Sequence, residues 1–109
     1  MTQDINLKLL KKAGELNLKT QKFAKKIIKV ESDLSRIGVE IDKFILDNGA
    51  VPAWPVNLSI NNEAAHNTYD LESPVILKED DVLKVDVGVS IEGYIADSAQ
   101  TIIFNKKHE

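Results

Sequence analysis

Asp86 and Asp97 stand in the stretch DVGVSIEGYIAD, on two apolar runs joined by a glycine-bearing turn. From Val82 to Val89 the side chains alternate. Leu83, Val85, Val87 and Val89 share one face of a strand, and Lys84, Asp86 and Gly88 share the other. A second strand is expected from about Tyr94 to Phe104. Where Asp97 points depends on the turn. A two-residue loop at Ile91-Glu92 sets Asp97 directly opposite Asp86 on one face. A three-residue loop with Gly93 in the left-handed position, which suits that glycine, turns Asp97 to the other face unless a bulge restores it. Two carboxylates opposed across a hairpin repel. A proton on one of them or a cation between them relieves the repulsion, and oxygen donors of this kind suit Mg²⁺, Mn²⁺, Co²⁺ or Zn²⁺ when further ligands are present. The plainer alternative leaves both aspartates in water near strand ends, paired with lysines. His66, in the polar run NNEAAHNTYDLESP, is the other chemically capable residue. A neutral imidazole beside a metal-bound substrate can donate or accept a proton near pH 7. A lone histidine in such a run is more often an ordinary surface or core residue.

The elements that must position these residues are readable from the hydrophobic period. Leu9, Ala13, Leu16, Thr20, Phe23, Ala24 and Ile27 recur at spacings of three and four, predicting a helix within Ile5–Ile28. Ser32 is expected to cap a second helix, whose apolar stripe is Leu34, Ile37, Ile41, Phe44 and Ile45 and whose stop is Asn48-Gly49. The period then changes. VPAWPVN, with two prolines, cannot be helix interior. NLSI is a short strand, VILK a brief apolar run, and EDD a turn before the Val82 strand. Helices followed by strands predict an α+β domain with an antiparallel sheet.

The totals agree. The chain has 109 residues, 43% of them hydrophobic and 28% charged, which is one globular domain's worth spanning residues 1–109. Cysteine is absent, which excludes thiolate metal sites and disulfides. The net charge of -3 gives no broad attraction to nucleic acid, so no specific nucleic-acid partner is expected. Lysines cluster before Lys29, as in KLLKK and KFAKKIIK, and read as the solvated face of the first helix. No apolar run is long enough to span a bilayer. A soluble cytoplasmic protein without a membrane partner is the expectation.

The runs AWPVNLSINNEAAHNT and LKEDDVLKVDVGVSIEGYIADSAQTIIF resemble the methionine aminopeptidases, in particular their type II branch from archaea and eukaryotes. The likeness extends over roughly Leu9 to Phe104. It implies a pita-bread α+β fold, as in creatinase and the aminopeptidases, of which this chain carries the N-terminal half. It implies removal of N-terminal methionine from new polypeptides, using two divalent ions drawn from Mn, Co, Fe or Zn. By the same likeness Asp86 and Asp97 are metal ligands, with Asp97 bridging. His66 is the catalytic histidine that meets the substrate, and Trp54 borders the methionine pocket where the family usually has phenylalanine. The run Asn67-Thr68-Tyr69 departs from the tyrosine-threonine-proline usual after that histidine. The family's remaining ligands, one histidine and two glutamates, belong to a second half and have no match here. The chain is therefore expected to need a complementary C-terminal half or a second copy of itself. The alternative is a non-catalytic pita-bread binding module, or an inert half-domain that dimerises.

Overall fold

A computed structural model describes residues 6–61, 63–64 and 75–104. Helix α1 spans Leu7–Ile27 and helix α2 spans Leu34–Asp47. Five strands follow: β1 (Val51–Pro52), β2 (Asn57–Ile60), β3 (Glu63–Ala64), β4 (Val82–Ile91) and β5 (Tyr94–Ile103). All pairings are antiparallel, and β4 is the hub. One edge of β4 carries β5 along its full length, while the other carries β1 near Val89 and β2 near Val85. Both helices cover one face of this sheet, so the α+β expectation holds with two layers.

The alternation in β4 decides which face is covered. Leu83, Val85, Val87 and Val89 are fully buried and meet Leu16, Ala24, Ile37, Ile41 and Ile45 from the helices in one core. The lysines of α1 are all exposed on its outer side, so that helix is amphipathic in the way its period requires. Asn6 caps α1, its side-chain oxygen accepting from the Leu9 N–H at 3.2 Å. The Asn6 N–H in turn donates to the Tyr94 hydroxyl at 2.8 Å, which ties the start of the helix to the start of β5.

The inner face of α1 differs from the predicted stripe. Asn17 and Gln21 are buried there beside Ala13, Leu16, Thr20 and Ala24. Asn17 Nδ2 donates to the Val87 carbonyl at 3.1 Å and the Ala96 carbonyl at 3.0 Å. Gln21 Nε2 donates to the Val85 and Ser98 carbonyls, both at 3.2 Å, and to Ser98 Oγ at 3.0 Å. Gln100 Nε2 donates to Gln21 Oε1 and, at 2.8 Å, to the Gln21 backbone oxygen. These amides are buried without penalty because strand carbonyls accept their protons.

Two local expectations are corrected. The cap of α2 is Asp33, whose carboxylate accepts from the Ser35 N–H at 3.0 Å; the Ser32 hydroxyl instead accepts from the Lys29 N–H at 2.9 Å. Both residue types suit a cap. Ser32 is used elsewhere, its carbonyl accepting from Leu77 and fastening the segment after residue 74. The brief apolar run VILK makes a single antiparallel bridge, from Ile76 to Asp33. The hairpin has neither loop considered above. Its two loop residues are Glu92 and Gly93, both with positive φ, at 48° and 88°. This is the I′ geometry whose twist matches the flanking strands.

That turn yields a first prediction. Gly93→Val should destabilise the chain by about 1–2 kcal/mol, because a β-branched residue is strained at positive φ. Glu92→Asn should stabilise it by a few tenths of a kcal/mol or more, since asparagine tolerates that region better. Thermal unfolding of the two variants checks both signs.

Candidate metal and substrate site

Register places the aspartates. Asp97 pairs with Gly88, and Asp86 pairs with Ala99. Directly opposed residues share a face, and so do residues two apart on a strand. Asp86, Gly88, Asp97 and Ala99 therefore all lie on the face away from the helices. The two carboxylates are diagonal neighbours, not directly opposed, with Cα atoms about 7 Å apart.

The hydrogen bonds of Asn17 fix the type of these pairs. One nitrogen cannot reach both the Val87 and the Ala96 carbonyls unless both oxygens point into the gap between β4 and β5. That makes Gly88–Asp97 a non-hydrogen-bonded pair, with the same result for Asp86–Ala99 from the bonds of Gln21. The Gly88 carbonyl agrees, since it turns the other way and accepts from the Ala53 N–H at 2.9 Å. In such pairs the strands' side chains stand closest together.

Trp54 closes one side of this face. A Cβ built on Gly88 would lie 2.5 Å from Trp54 Cζ2 and 2.6 Å from Cη2. The indole thus rests directly on the glycine, opposite Asp97 and two residues from Asp86. Only a residue without a side chain permits that approach. Pro52 and Pro55 frame the segment that delivers the ring, and Val56, fully buried, anchors it in the core on the other side. Asn57 pairs with Asp86 and so borders the same face from β2.

Asp86 is half-buried and Asp97 is exposed. Among the described residues neither has an ion-pair or hydrogen-bond partner, whereas on α2 Lys43 pairs with Asp47 at 3.1 Å. The lysine pairing considered for these aspartates is therefore not seen among those residues. No group of three or more histidines, aspartates or glutamates is gathered there to hold an ion. The face offers two hard oxygen donors at a diagonal spacing, a partial donor set that suits a divalent cation once other ligands join it. His66 lies outside the described residues, as do Asn67, Thr68 and Tyr69.

The sheet around the pair is open. Ile95 is 53% exposed and Ile103 38% exposed on the same face of β5 as Asp97. Among the described residues no strand pairs with the outer edge of β5. Sequence reading selected Asp86, Asp97 and Trp54, and these three come together. It missed Asn17 and Gln21, which lie behind the same strand pairs. The available signal was two amides on the inner arc of an otherwise apolar helix stripe.

Two helices over an antiparallel sheet, with two diagonal carboxylates on its far face, define an α+β arrangement, and comparison with known proteins gives the family. Residues 8–109 match the family model for metallopeptidase family M24, and the chain belongs to that family. It is 44% identical to a methionine aminopeptidase of Pyrococcus abyssi over 90 residues, which cover 83% of this chain and 30% of that protein. It is 34% identical to the methionine aminopeptidase of Saccharolobus solfataricus across 100% of this chain and 36% of that one. A methionine aminopeptidase 2 of Neurospora crassa is 36% identical over 89% of this chain. Among solved structures, a prolidase from Pyrococcus furiosus superposes with a TM-score of 0.81 at 19% identity, over 98% of this chain and 33% of that one. A methionine aminopeptidase from Rickettsia prowazekii gives 0.77 at 21% identity, over 97% and 46%. These neighbours share the pita-bread fold. The chain spans about a third of the length of the curated relatives it matches.

Trp54 is the chain's single tryptophan, so its emission reports this face. Gly88→Ala should push the indole off the sheet into water. The expected results are a red-shifted emission maximum and a loss of about 1–3 kcal/mol, the usual cost of overpacking. Unchanged emission would place the ring elsewhere.

Proposed function

We propose that this chain supplies two metal ligands, Asp86 and Asp97, and part of the substrate pocket of a methionine aminopeptidase that uses divalent metal ions. The observation that carries this reading is the shared face: two diagonal carboxylates with an indole seated on Gly88 beside them. The likeness to methionine aminopeptidases supports it. A divalent ion held here supplies Lewis acidity toward a peptide carbonyl and toward water.

This chain's own residues then do the following. Asp86 and Asp97 offer acceptor oxygens and offset the cation's charge. The Trp54 ring gives a flat apolar wall against which a thioether side chain can pack, and sulfur–aromatic contact favours methionine there. Its size, against the phenylalanine usual in the family, narrows that wall's pocket. His66, by resemblance, holds or moves a proton at the scissile amide. The free amino group of the substrate distinguishes an N-terminal residue from an internal one. The remaining ligands come from a complementary half or a second copy, which would also cover Ile95, Ile103 and the open edge of β5. An exposed edge of that length invites pairing. Among the described residues no helix is long and apolar enough to cross a membrane, and we place the activity in the cytoplasm.

Methionine release from a Met-Ala peptide, with Mn²⁺ or Co²⁺ and a chelator blank, tests the reading. The chain should be assayed over a range of concentrations, alone and with a chain carrying the missing histidine and glutamates. Release should require metal, rise with completion of the site, and fall by at least about a hundredfold in Asp97→Ala. Release by Asp97→Ala at the wild-type rate would remove the assignment. Sedimentation should show a concentration-dependent assembly, and a monomer at every concentration would exclude the second copy as the completing half.

A further inference from the structure

We propose that Asn17 and Gln21 are positioning residues for Asp86 and Asp97, an assignment that rests on the metal-ligand reading above. The two amides lie one helical turn apart on α1. Four helix residues rise about 6 Å, and two strand residues advance about 6.8 Å. The near match lets one helix address two successive non-hydrogen-bonded pairs. Asn17 sits behind Gly88–Asp97, and Gln21 sits behind Asp86–Ala99. Each donates to one carbonyl of β4 and one of β5, so each amide staples the two strands across the gap beneath an aspartate.

The arrangement is specific. Asn17 is 3% exposed and Gln21 is 9% exposed, so water does not compete for these bonds. Strand carbonyls only accept, which fixes the amide nitrogens toward the sheet. Gln100 donates to Gln21 Oε1 and completes the amide's own bonding. Thr20, buried on the same helix face, provides the contrast: its hydroxyl donates to Leu16 O of its own helix at 2.8 Å and holds no strand. The staples set how far β4 and β5 can twist or separate at the two pairs that carry the carboxylates. They therefore act on the distance between Asp86 and Asp97 from the opposite side of the sheet. Holding a ligand pair at a fixed spacing from behind is what sharpens affinity for a small hard cation.

The test uses the full chain and Mn²⁺ alone, with free Mn²⁺ followed by electron paramagnetic resonance and stability by thermal unfolding. Asn17→Leu and Gln21→Met keep the side-chain volume and remove the donors. Thr20→Val is the control for a buried polar loss on the same face. Each staple variant should bind Mn²⁺ about tenfold or more weakly, the range found for groups that hold a ligand in place. Thr20→Val should keep the wild-type affinity even where it lowers the melting temperature as much. The visible spectrum of bound Co²⁺ should change in the staple variants and not in Thr20→Val. If Asn17→Leu does not fold, Gln21→Met alone decides. Wild-type Mn²⁺ affinity in the staple variants, with weakened binding in Asp97→Asn, overturns the positioning role and leaves the ligand assignment standing. Wild-type affinity in Asp97→Asn overturns the ligand assignment and the positioning role with it.

Discussion

A slip of one residue between β4 and β5 would send every side chain of β5 to the opposite face of the sheet. Asp97 would then face α1, and Ser98 would face solvent. The register observed is thus the constraint on which the site depends. It is held at three places. The Glu92-Gly93 turn sets it at one end through two positive φ angles. Leu83 against Ile102 sets it at the other, both buried in the core. Asn17 and Gln21 hold the middle, where each bridges carbonyls of both strands. Hydrophobic pattern, turn chemistry and buried polar bonds all specify one pairing.

The sheet therefore has two unlike faces. The inner face buries Val85, Val87 and Val89 under the helices and supplies the stability. The outer face puts two carboxylates, a glycine and an indole where a core would ordinarily be. Gly88 links the two, because its missing side chain lets Trp54 approach while its backbone stays in the ladder. Among the described residues no strand pairs with the outer edge of β5. That edge and the exposed Ile95 and Ile103 lie on the same face as the carboxylates, and under the proposed function they are the apolar surface that the completing half would cover.

Much of this was legible in the sequence. Leu34, Ile37, Ile41 and Ile45 announce α2 by their spacing, and the alternation through Val89 announces β4 and its buried face. NLSI is a strand as read. The hairpin loop was harder, because Glu92 is not a residue type that signals positive φ; asparagine or aspartate before Gly93 would have marked the I′ turn. Asp97 consequently reaches the right face through a register that neither considered loop gives. Asn17 and Gln21 were passed over for a different reason. An amide on a helix reads as solvent-facing, and only the strand carbonyls, set by tertiary structure, make it a buried donor. The cap of α2 turns on which of two adjacent capping residues is drawn off to another bond. The motif residues quoted from the family were legible as types, while their diagonal geometry came only with the register.

The central claim is that Asp86, Asp97 and Trp54 share one face and that the carboxylates there take a divalent cation. Quenching of Trp54 emission by Co²⁺ measures this most directly, since the chain has no second tryptophan to blur the signal. The account predicts saturable quenching by Co²⁺ that the diamagnetic ion Mg²⁺ does not reproduce but can compete away, and that is lost in the double variant Asp86→Asn, Asp97→Asn. Quenching of equal strength in that double variant would contradict it.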